Sequence, residues 1–310
     1  MLHEDESPHD NPKDVAAGKV SGIRAWYLAS RPKTLFAAVA PVVVGTALAI
    51  REHKFVIVSA FVALVCSVLI QIGTNFVNDL YDYLRGADGK DRLGPKRAVA
   101  SGRISVRAMK LGIAVVLGSA FVLGMYLVLA AGPLVLMIGI FCIIAGVAYT
   151  AGPYPLAYHG LGDVFVFLFF GVVGTLGTYY VQAVDMNIVV FVSSLPVGAL
   201  ITNILVVNNY RDIEQDRKAG KFTLAVLMGR RFTEAQFVCL LVVSYLVPVS
   251  LFLAFGFDLW VLLPFLSLPV AAVTARQIKR SQGTELNKAL ETTSRLCIIF
   301  AILFGIGVIL

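Results

Sequence analysis

The stretch KFVIVSAFVALVCSVLIQIGTNFVNDLYDYLRG, Lys54 to Gly86, decides the fold. Residues 54–77 are almost wholly apolar, and about 20 such residues are what a helix needs to cross the hydrocarbon core. The run then turns polar over two helical turns, at Asn75, Asp79 and Asp82. An apolar span that ends in carboxylates puts charge at the membrane surface, where ionisable groups are functional candidates by default.

Working outward, the same pattern repeats. Apolar runs occupy 34–50, 54–77, 108–130, 132–150, 162–184, 187–208, 235–255, 257–275 and 291–310. The spacing predicts an all-α polytopic membrane protein with nine transmembrane helices. Composition agrees: the 310 residues are 58% hydrophobic and 15% charged, against roughly 45–50% and 25% in soluble domains. A soluble enzyme, a disordered regulator and a secreted disulfide scaffold are excluded. Cys66, Cys142, Cys239 and Cys297 all lie in apolar runs, without the spacing of a zinc site. Residues 1–22 are polar and read as a disordered cytoplasmic tail; 23–310 read as one transmembrane domain.

Lys and Arg orient the spans. They collect before span one, after span two (Arg85 to Lys110), after span six (Arg211 to Arg231) and after span eight. The intervening loops hold only Arg51 and Lys54. This alternation predicts a cytoplasmic N-terminus and an outer C-terminus in the cell membrane. It also accounts for the net charge of +7 with no nucleic acid as partner.

Two of the basic loops hold the chemistry. On a helix, Asn75, Asp79 and Asp82 share a face, and so do Asn208, Asp212 and Asp216. Each segment has an Asn four residues before an Asp, a second Asp three or four residues on, and then Gly86 or Gly220. The pattern reads as a diverged repeat with one acidic helix end per half. Four carboxylates in two facing pairs suit Mg²⁺, which takes one or two carboxylates per ion and fills its other positions with water and phosphate oxygens. Arg85, Arg92, Arg97, Arg211, Lys218 and Lys221 are interleaved with the acids. Acids to hold metal, with cations to neutralise phosphate, match a magnesium–diphosphate headgroup.

Asn78-Asp79-x-x-Asp82 followed by Asp212-x-x-x-Asp216 resembles the paired motifs of the UbiA superfamily of intramembrane aromatic prenyltransferases. The likeness runs through Ser30-RPKTL, Asn78-DLYDYLRGAD, Arg92-LGPKR, Tyr149-TAGPYPLAYHGLGD, Phe169-FGVVGTLGTYY and Asn208-NYRDIEQDRKAGKFTLAV. These segments are most similar to the branch that uses 1,4-dihydroxy-2-naphthoate. The resemblance implies nine helices in two pseudo-repeats around a central cavity and Mg²⁺ held by Asp79, Asp82, Asp212 and Asp216, with Asn78 part of the catalytic motif. It further implies transfer of a prenyl group from polyprenyl diphosphate to the naphthoate ring with loss of CO₂. The superfamily often carries a further Asp where this chain has Gly86; Asp88 lies two residues beyond, as metal ligand, water ligand or loop brace.

Lys33, at the cytoplasmic end of span one, is a candidate to reach diphosphate or carboxylate, with snorkelling as the alternative. Tyr149 is a candidate to line the pocket, with an interfacial belt as the alternative. Gly171, Gly174 and Gly177 read as close helix packing or a groove for the prenyl chain. Two other functions remain at this level: a prenyltransferase for 4-hydroxybenzoate or homogentisate, and a secondary transporter. A transporter places its charges near mid-membrane, whereas these acids gather at helix ends on one side.

Overall fold

The computed structural model describes residues 22–87 and 92–310. The expected tail through residue 21, and Asp88, lie outside the described residues.

Each apolar run forms a helix, as a chain in hydrocarbon must in order to satisfy its own backbone groups. In chain order these are α1 (Gly22–Ala29), α2 (Phe36–Arg51), α3 (Ile57–Leu84), α4 (Val106–Ala131), α5 (Pro133–Ala148), α6 (Gly162–Ala183), α7 (Ile188–Arg211), α8 (Ile213–Lys218), α9 (Leu224–Ala254), α10 (Leu259–Arg280) and α11 (Gly283–Ile309). Among the described residues seven are long and apolar enough to cross a membrane. An eighth span is the bent pair Gly22–Thr34 and Phe36–Arg51, which turns by 53°. The ninth expected span is α5, whose 16 residues rise only about 24 Å at 1.5 Å each. The all-α, multi-pass class therefore stands, and nine is an approximate count.

α7 is the central helix. It packs on α6, α9 and α11 and is the most buried of the spans. Glycine allows the closest approach: a Cβ on Gly171 of α6 would lie 2.2 Å from the Cα of Gly198 of α7. α6 is π-helical from Phe167 to Val173, and such a widened turn is common beside functional sites. Gly174 packs on Pro41, while Gly177 faces Ile138 only at 4.0 Å and lines the cavity. Gly174 lines the cavity as well, so the series packs closely at Gly171 and opens onto the cavity further along. α9 breaks at Gly229, where φ is 79°, so Leu224 to Met228 form a short segment separate from the long span.

α4 and α5 lie at the periphery. Only Val135 of α5 is buried, as expected of a helix bathed in lipid rather than in protein. Between these two helices and α2, α3, α6 and α7 runs a cavity of about 330 Å³.

Candidate active site

α3 and α7 both deliver Asn to the same end of this cavity; of the four motif acids Asp82 alone lines it, with Asp212 and Asp216 set behind that wall, and the individual acids differ in their surroundings. The carboxylate of Asp79 accepts backbone N–H bonds from Ala98 and Val99, both 2.9 Å. It caps the turn that follows Arg97, and it does not line the cavity. Asp82 does line it. One oxygen accepts from the Tyr158 hydroxyl at 2.8 Å and the other pairs with Arg97. Burial and the neighbouring Asp82 charge push the Tyr158 hydroxyl well above its ordinary pKa, so it stays a donor.

The second half is equally ordered. Arg211 is buried and grips Asp212 through two nitrogens, at 2.7 and 2.6 Å. It also donates to Asn208 and to Asn287 of α11. Gly94 sits against this guanidinium, where a Cβ would lie 2.8 Å from its Nη2. Asp216, on α8, has Lys221 at 3.8 Å from one oxygen, while its Oδ2 is buried without a hydrogen-bond partner among the described residues. Burial raises the Asp216 carboxyl to about 6; Lys221 works against this, and the nearby Asp212 and Asp82 charges add to it.

The structure thus brings Asn75, Asn78, Asp82, Arg97, Tyr149, Asn208 and Lys221 to one cavity wall. Asn75 donates to the Ser30 carbonyl, and Asn78 accepts from Thr150. Other expected residues face elsewhere. Lys33 is 72% exposed and pairs with Glu291 at 2.9 Å, because the turn after Pro32 points it outward. Arg85 is drawn to the Gly152 carbonyl and over the Tyr158 ring. Arg92 bonds the Pro95 carbonyl within its own loop while staying within electrostatic reach of Arg31 and Asp216. Lys218 is exposed on the outer face of α8. Sequence reasoning missed Arg31, Gln71 and Tyr158. Arg31 and Tyr158 stood in two quoted segments, beside the more conspicuous Lys33 and Tyr149.

Among the described residues no three Asp, Glu, His or Cys converge tightly enough to enclose a metal ion. The donors still suit Mg²⁺. A buried carboxylate oxygen without a partner on Asp216, within electrostatic reach of Asp82, is what a metal sharing its shell with phosphate needs.

The UbiA prenyltransferase family description matches residues 38–304. The chain belongs to this family. It is a multi-pass membrane enzyme that transfers prenyl groups. It is 37% identical to 1,4-dihydroxy-2-naphthoate octaprenyltransferase of Mycobacterium leprae over 89% of this chain and 93% of that one. It is 35% identical to the enzyme of that name from Escherichia coli, over 94% and 97%. The UbiA homolog from Archaeoglobus fulgidus, solved bound to GPP and Mg²⁺, shares the fold at a TM-score of 0.66 with 18% identity, over 92% of this chain and 99% of that one.

Proposed function

We propose that this UbiA enzyme transfers a polyprenyl group from its diphosphate to 1,4-dihydroxy-2-naphthoate, with loss of CO₂, in the menaquinone route. The single observation that carries the reading is the cavity itself. It has acids and cations at one end, and its other end is wholly apolar at Ala63, Leu127, Val135 and Val181. That is the shape of a diphosphate with a long hydrocarbon tail. The acceptor rests on relatives more than 30% identical over nearly the whole chain. The solved homolog bound to Mg²⁺ supports the same cofactor here. The Lys/Arg distribution supports a cell-membrane enzyme with the acidic helix ends in the cytoplasm.

In this reading Asp82 and Asp216, with Asp212 beside them, hold Mg²⁺, and Asn78 and Asn208 complete the polar rim. When bound, Mg²⁺ would draw off negative charge as diphosphate departs. Lys221 and Arg97 neutralise the remaining phosphate oxygens. Phe165 and Phe169, stacked at 5.8 Å, exclude water from the allylic cation together with the ring of Tyr149. Those ring faces also stabilise its charge.

The test is product identification. Purified protein in lipid, with Mg²⁺ and labelled polyprenyl diphosphate, is offered a panel of aromatic acids. Prenylated, decarboxylated naphthoate is expected. Turnover confined to 4-hydroxybenzoate with the carboxylate retained would sink the acceptor assignment.

A further inference from the structure

Arg31 differs from every other arginine of the site. Arg97 pairs with Asp82, Arg211 with Asp212, and Arg85 with the Gly152 carbonyl. The Arg31 side chain lines the cavity yet makes no hydrogen bond or ion pair to any described residue. Arg97 and Arg92 are near enough to repel it and Asp79 and Asp82 near enough to attract it, but neither carboxylate pairs with it. An uncompensated guanidinium in so apolar a cavity is costly.

Its backbone is costly too. Arg31 has φ 54° and ψ 61°, the left-handed region that disfavours a residue with a Cβ. It precedes Pro32, which by itself would bias Arg31 to extended backbone. The strain is held in place from both sides. Thr34 donates to the Arg31 carbonyl, and Asn75 donates to the Ser30 carbonyl. Strain maintained by its surroundings in this way clusters at ligand sites. Gln71 adds an independent sign. It is buried on the same wall, two turns before Asn78 on α3, and its Oε1 has no partner among the described residues.

A guanidinium fork open to a cavity fits a planar oxyanion held by two parallel hydrogen bonds. Two oxyanions belong to the proposed reaction. The diphosphate end already has Lys221 and Arg97, and Arg92 is engaged in its own loop, whereas the Arg31 guanidinium lines the cavity with no partner among the described residues. We propose that Arg31 is the receptor for the carboxylate of the aromatic acceptor and fixes the orientation of the ring. This rests on the proposed function and deepens it.

The experiment compares wild type with Arg31→Gln, Arg31→Lys and Arg31→Gly in lipid nanodiscs. Each substrate is varied in turn, and the acceptors are 1,4-dihydroxy-2-naphthoate and 1,4-dihydroxynaphthalene, the same ring without the carboxylate. In Arg31→Gln the KM for naphthoate should rise about ten- to hundredfold, the usual cost of losing charge-assisted hydrogen bonds. The KM for prenyl diphosphate should stay put, the preference for the carboxylated acceptor should vanish, and Arg31→Lys should recover part of it. Without turnover, naphthoate should raise the melting temperature of wild type but not of Arg31→Gln. Arg31→Gly relieves both strain and unpaired charge and should melt no lower than wild type; a purely structural arginine would give a lower melting temperature. A raised KM for prenyl diphosphate, or a shifted Mg²⁺ requirement, overturns the assignment in favour of the diphosphate. Unchanged kinetics overturn it outright. Failure of the unsubstituted protein to alkylate naphthoate counts against the functional reading instead, and the KM comparison is then made on whichever aromatic acid it does alkylate.

Discussion

Asp79 and Asp216 carry the same side chain in opposite settings. Asp79 has both oxygens filled by backbone N–H groups. Asp216 has a buried oxygen with none. Asp79→Asn turns an NH₂ against a backbone donor and should cost about 1–3 kcal/mol of stability, visible as a lower melting temperature. Asp216→Asn should melt normally or higher and lose about 10²-fold or more in rate, as expected when a metal ligand is removed. The exposed Asp258 is the control and should tolerate Asn. Because the Asp216 carboxyl sits near 6 without metal, Mg²⁺ must displace its proton at lower pH. Apparent Mg²⁺ affinity should weaken about tenfold per unit below pH 6 and level off above 7; a flat titration from pH 5 to 7 would count against Asp216 as a ligand. Spacing alone could not separate these acids, since Asp79 and Asp82 share one helix face and differ only in what folds over them. The same holds for Arg31 and Lys33. They flank one proline, and only the left-handed turn decides which of the two cations faces inward.

At the scale of elements, the apolar runs were legible because hydrocarbon demands them, and the two acidic helix ends because their charges break those runs. The short α5, the π-helical turn of α6 and the bend between α1 and α2 were not, since each depends on neighbours that no local pattern records. Nor was the polar clamp at the opposite end of the bundle from the acidic helix ends. There Glu52 accepts from Tyr179, from Asn187 at 2.9 Å and from Lys54 at 3.0 Å, while Lys54 also reaches Asp185 at 3.1 Å. It joins the ends of α2 and α6 to the start of α7. Burial works to raise the Glu52 carboxyl, but these hydrogen bonds outweigh it and hold it below its ordinary range. A depressed carboxyl stabilises the fold above its unfolded pKa and loses that contribution as pH falls through its folded value. Melting temperature should therefore drop on acidification below about pH 4.5, and Glu52→Gln should flatten that drop. Tyr179→Phe should cost about 1 kcal/mol without altering the KM of either substrate.

Over the whole molecule, polar chemistry occupies one end of the cavity and a lipid-like wall the rest. From Asp82 to Ala63, α3 alone carries that wall about 28 Å at 1.5 Å per residue. The far end is closed by Leu127, Val135 and Val181, which pack with Ala131 in an apolar cluster separate from the main core. Filling that end with Val135→Phe or Val181→Phe should shorten the longest prenyl diphosphate accepted while leaving short ones unaffected. A panel of chain lengths read by product mass checks this, and an unchanged length profile would show that the tail leaves the cavity elsewhere. The central claim joins both ends of the cavity in one reaction, and carboxyl-labelled 1,4-dihydroxy-2-naphthoate tests it most directly. With Mg²⁺ and polyprenyl diphosphate, labelled CO₂ should appear in equal amount to prenylated naphthoquinol, and chelation should stop both. Prenylated product that retains the label, or label released without prenyl diphosphate, would contradict the account.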